Sequence, residues 1–148
     1  MCPRKSRASD RRLVDMSAVP SQTRGAWAPE LPAEDEWIDI IPISETVSYL
    51  LRYETDQYNR IVEFAVIQRT HEDGDVRRVA LYDSCHGKGV HVHYYDRDER
   101  EIEQHPLRPV TSYEELESGM DYAIERVSKD WEENERRSRR GNGGATAR

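Results

Sequence analysis

Between Glu45 and Asp96 the chain repeats one pattern: a short segment with apolar residues at alternate positions, then a short polar turn. Alternation of period two predicts a strand with one face in a core. In ETVSYLLRYE, from Glu45 to Glu54, Val47, Tyr49, Leu51 and Tyr53 share a face. RIVEFAVIQRT, from Arg60 to Thr70, is the most apolar segment; Val62, Phe64 and Val66 lie on one side, Ile61, Ala65 and Ile67 on the other. TDQYN and HEDGD read as turns, the second with the Asp-Gly chemistry of a hairpin. Val76 to Asp83 and Gly89 to Asp96 supply a third and a fourth strand, and RDER leads to a short fifth near Glu101 to Gln104. Links this short join antiparallel neighbours, so the expected sheet is an antiparallel meander of four to five strands. Before it, WIDIIPI carries Pro42, which predicts an edge segment able to pack as a cover.

The period changes after Pro106 and Pro109, which are expected to break the chain. Thr111 with Glu114, or Ser112 with Glu115, fits a capping box. Tyr113, Leu116, Met120, Ala123, Ile124, Val127 and Trp131 then recur at steps of three and four, one apolar stripe on a long helix. Gly119 interrupts good helix formers and marks a close approach to a strand. EENERRSRR reads as a solvated helix end. The fold class expected is therefore α+β, with the meander packed against one long C-terminal helix. Residues 1–36 read as a disordered leader, 37–137 as the single domain and 138–148 as a flexible basic tail. No internal repeat is apparent.

Charge narrows the partners. The net charge is -7. Met1 to Asp35 holds six Lys/Arg against five Asp/Glu and Ser138 to Arg148 holds three arginines, which leaves -11 for Glu36 to Arg137. An acidic core repels a phosphate backbone, so RNA is disfavoured as a partner except through local contacts or the basic ends. No apolar run is long enough to cross a bilayer, and the basic N-terminus lacks the apolar stretch of a secretory signal. With only Cys2 and Cys85, no disulfide framework is implied, and the expected compartment is the cytoplasm.

The residues able to do chemistry concentrate in YDSCHGKGVHVHYYD, Tyr82 to Asp96, which holds three of the five histidines. If Asp83 faces Gly89, Tyr82 faces Val90 and Ala80 faces Val92, then His91 and His93 share a face with Asp83, Leu81 and Val79. Gly87 and Gly89 allow a tight loop that brings His86 toward them. Three readings stay open. Paired imidazoles suit acid–base catalysis near neutral pH, with Lys88 or an arginine as the cation for a developing phosphorane. His91 and His93 with His86, Asp83 or His105 offer enough nitrogen and oxygen donors for zinc or a similar ion, though no cofactor is fixed by spacing. Histidine also sits on half-exposed strands for structural reasons alone. Asp83 either orients a histidine or caps the turn, and Cys85 is either a nucleophile or a small core residue.

Tyr82-Asp83, His86-Gly87, His91 and His93, followed by an acidic amphipathic helix, form a pattern that resembles the small TumE-like proteins, described as toxins of bacterial toxin–antitoxin systems, and related domains of unknown function. The similarity spans about Val47 to Glu133, with Trp131 as a further match. It implies an effector with an antitoxin protein as partner, and a site carried by His86, His91 and His93 with Asp83 and Lys88 assisting, directed at RNA in one version. The other version is a binding module whose histidines are structural or hold a metal.

Overall fold

The computed structural model describes residues 27–84 and 89–146, with backbone alone for 142–146. Six strands form one antiparallel sheet in chain order: β1 (Asp35–Pro42), β2 (Val47–Thr55), β3 (Ile61–Glu72), β4 (Asp75–Asp83), β5 (Val90–Tyr95) and β6 (Glu101–Arg108). One helix, α1 (Tyr113–Thr146), follows, with non-helical backbone at Gly141. The class is α+β as the alternation predicts, but the strand count is six rather than four or five. The extra strand is β1, the WIDIIPI segment. It hydrogen-bonds along β2 instead of covering the sheet, and Pro42 is tolerated because β1 is an edge. The other edge explains a second difference. β6 runs through Pro106 to Arg108, since a strand with no outer neighbour does not need that N–H.

Two links share one construction. Asp56 Oδ1 accepts from the N–H groups of Tyr58 and Arg60, and Asp96 Oδ1 accepts from those of Asp98 and Arg100. In each, the fourth residue takes positive φ, Asn59 at 64° and Glu99 at 61°. The Asp-x-x-x-Arg turn thus recurs, a repeat missed in the sequence because the intervening residues differ. It delivers Glu101 to its place opposite Tyr95. The third link, Asp73-Gly74, has positive φ at both positions, as a two-residue hairpin turn requires.

α1 packs on one face of the sheet. Phe64, Val66, Ala80, Tyr82, Val90 and Val92 meet Leu116, Met120, Ala123 and Val127 in a buried core. Burial of each larger side chain among them is worth roughly 1.5–3 kcal/mol. The helix starts where the capping pattern places it. Ser112 Oγ accepts from the Glu115 N–H, and Glu115 Oε1 reaches back to the N–H and hydroxyl of Thr111. Gly119 is the point of closest approach: a Cβ there would lie 2.7 Å from Val90 Cγ2.

The far end of the helix departs from expectation. Asn134, Glu135 and Ser138 are buried, so this turn is docked rather than solvated. The reason lies on β3. Gln68, fully buried, donates through Nε2 to the Trp131 carbonyl and to Glu135, and accepts from Asn134 Nδ2. Asn134 Nδ2 also donates to the Tyr82 hydroxyl. Arg77 donates to Ser138 Oγ. An unpaired buried amide costs several kcal/mol in transfer terms, so this set holds only when complete. It ties the second half of α1 to β3 and β4 by polar contacts where the first half uses apolar ones.

Two outcomes follow for stability. Gly119→Ala gains at most about 1 kcal/mol of helix propensity. It presses on the fully buried Val90, a cost of roughly 1–3 kcal/mol. Urea unfolding is expected to show net loss, shrinking in a Val90→Ala background; an unshrunk loss would place the clash elsewhere. Burial pushes the Glu135 carboxyl above its ordinary value, against hydrogen bonding from Gln68 and the attraction of Arg77 and Arg139. A raised carboxyl contributes most below the ordinary carboxylate range, and that contribution is lost as pH rises through its folded value. Glu135→Gln is therefore expected to melt higher than the parent at pH 7, with the gap closing toward pH 4. A lower melting temperature at pH 7 would contradict this.

Candidate histidine and carboxylate site

The site stands on the face of β4 and β5 that points away from α1. Alternation forces this: Val90, Val92 and Tyr94 enter the helix-side core, so His91 and His93 must take the opposite side. The pairing differs from the sequence expectation by two residues. Asp83 lies opposite His91, Tyr82 opposite Val92 and Ala80 opposite Tyr94. A shift of two conserves the faces, where a shift of one would have inverted them. Its effect is to set the Asp83 carboxylate directly across from an imidazole, which the sequence-based register did not do.

Three donors converge. Asp83 Oδ1 lies 2.9 Å from His91 Nε2 and 3.5 Å from His93 Nε2. The ring centroids of the histidines are 4.8 Å apart. Asp83 and His91 are buried, with side chains 2% and 3% exposed, and His93 forms the rim at 15%. On this face the buried Ala65 pairs with Asp83, and the buried Leu81 with His93.

The other ring nitrogens are also engaged. His91 Nδ1 is 3.2 Å from the Gly89 carbonyl oxygen, and His93 Nδ1 is 2.7 Å from Glu101 Oε1. A carbonyl and a carboxylate only accept, so each Nδ1 carries a proton. A neutral ring then turns its Nε2 lone pair toward Asp83. Two lone pairs and a carboxylate oxygen so close together repel unless a positive centre lies among them, either a proton or a metal ion. Burial alone would push the Asp83 carboxyl up, but hydrogen bonds and charge from His91 and His93 hold it well below the usual carboxylate range. Burial disfavours the charged ring of His93, yet Asp83 and Glu101 together raise its pKa.

Of the residues singled out in the sequence, Asp83, His91 and His93 come together. His86 and Lys88 lie outside the described residues, as does Cys85. His105 does not join them. It sits on β6 opposite Val92, with its ring against Tyr94 on the helix side, and is 3.8 Å from Glu103. Glu101 was missed as a site residue. The Asp96 turn fixes where β6 begins and sets Glu101 opposite Tyr95, from where its carboxylate reaches His93 Nδ1.

Removing one partner of a buried ion pair costs roughly 3–5 kcal/mol, because the other charge is stranded. Asp83→Ala in chelator-treated protein is expected to lose that much in urea unfolding, whereas His105→Ala stays within about 0.5 kcal/mol. Equal, small effects for both would remove Asp83 from the centre of the cluster.

The chain matches no protein-family model, no curated protein and no solved structure, so the reading of this site rests on its own geometry.

Proposed function

We propose that this domain holds a divalent transition metal through Asp83, His91 and His93. The observation that carries the reading is the orientation of the two rings. Each Nδ1 faces an oxygen acceptor while each Nε2 faces the same carboxylate oxygen. That is the arrangement of metal-binding histidines, whose second nitrogen donates to a carbonyl or carboxylate. The three donor atoms all lie within 4.8 Å of one another. Two imidazoles and one carboxylate favour zinc and its neighbours over magnesium or calcium, which prefer oxygen alone. Burial adds to this, because a small ion reaches Asp83 more easily than a polymer does.

A second reading follows from the likeness to toxin–antitoxin effectors. There, His93 is the acid or base acting on RNA, with an antitoxin protein as partner. The observation in its favour is that His93 is the exposed member of the cluster and contacts two carboxylates. Among the described residues no helix is long and apolar enough to cross a membrane.

Titration of the intact, chelator-stripped chain with zinc tests the first reading. One ion per chain is expected, with stabilisation of about 2.7 kcal/mol at a hundredfold excess over the dissociation constant. His93→Ala, whose ring is on the rim, is expected to abolish the thermal shift; His105→Ala is expected to keep it. Loss of growth arrest in His93→Ala cells, with no metal bound by the parent protein, would favour the effector reading instead.

A further inference from the structure

We infer that Glu101 is the positioning residue of this site and sets its metal affinity through His93. The inference rests on the metal-holding reading. The two ligand rings are held in different ways. His91 is oriented by a main-chain carbonyl, that of Gly89, whose backbone takes a positive φ of 80°. The next residue, Val90, is wedged under Gly119, so this support belongs to the core. His93 is oriented by a side chain, with Glu101 Oε1 2.7 Å from its Nδ1.

Among the described residues the hydrogen-bond partner at His93 Nδ1 is Glu101, although Gln104 is the residue opposite His93 in the β5–β6 register. Asp83 faces Nε2, Leu81 is its apolar neighbour across β4, and the Tyr95 ring lies nearly parallel to it at 6.5 Å. Arg78 is 4.3 Å from the centre of the Tyr95 ring and ion-paired with Glu99. Without Glu101, Nδ1 would bond to water, and the neutral ring would divide between two tautomers, of which one turns a proton toward the metal. Glu101 therefore selects the tautomer that can bind. It comes from β6 and is set by the Asp96 turn, so a strand that supplies no ligand controls the site. Its side chain is 44% exposed, so it can be replaced without opening the core.

Competition between the full chain and a zinc chelator reads the effect. Loss of the outer partner of a metal-bound histidine weakens affinity by about 10- to 100-fold, the loss expected for Glu101→Ala. Glu101→Gln, whose amide oxygen still accepts from Nδ1, is expected to recover most of it. The visible spectrum of bound cobalt(II) should shift in Glu101→Ala and return toward that of the parent in Glu101→Gln, a change that a merely structural role would not produce. Parent-like affinity and spectrum in Glu101→Ala would overturn the inference while the metal reading stands. Equal loss in both variants would overturn the orienting role. A parent protein that binds neither zinc nor cobalt would remove the metal reading, and this inference with it.

Discussion

β5 is the strand on which the site depends, because its two faces answer to different demands. On one face Val90, Val92 and Tyr94 enter the core beneath α1. On the other, His91 and His93 meet Asp83. The period of two couples these faces rigidly. Whatever seats Val90 under Gly119 also fixes the height at which His91 leaves the sheet. The contact between a β-branched side chain and a bare helix backbone is therefore part of the site, although it lies on the far side of the sheet. The cost of placing three polar groups in a poorly hydrated setting is met by mutual hydrogen bonding and charge, the only way such a cluster persists.

The helix has two modes of attachment. Its first half uses the apolar stripe that any amphipathic helix would. Its second half is held by Gln68, Asn134, Tyr82, Glu135 and Ser138, each matched to a partner. Apolar contacts tolerate sliding, whereas a satisfied hydrogen-bond set does not, so the polar end determines the register of α1 on the sheet. That register in turn brings Gly119 over Val90.

The face assignments were legible in the sequence, since they need only alternation, and so was the helix stripe with its cap. The register of the β4–β5 hairpin was not. Glycines at 87 and 89 suggested a tight link, but the pairing that forms is the one that sets Asp83 against His91, a contact invisible to a reading based on turn chemistry. Buried Asn134, Glu135 and Ser138 were read as solvated because a polar residue announces no partner until the facing strand is placed. Glu101 escaped for the same reason. Of the prolines, Pro42 marked an edge position correctly, since β1 is an edge strand, whereas Pro106 was expected to break the chain and instead lies inside the edge strand β6.

The central claim is that Asp83, His91 and His93 share one cation. Anomalous diffraction from a crystal of the intact chain soaked in zinc, with data collected on both sides of the zinc edge, tests it most directly. The account predicts a peak bonded to His91 Nε2, His93 Nε2 and an Asp83 oxygen, with Glu101 still on His93 Nδ1. A fully soaked crystal with no peak there, or with zinc only at surface residues such as His105, would contradict it.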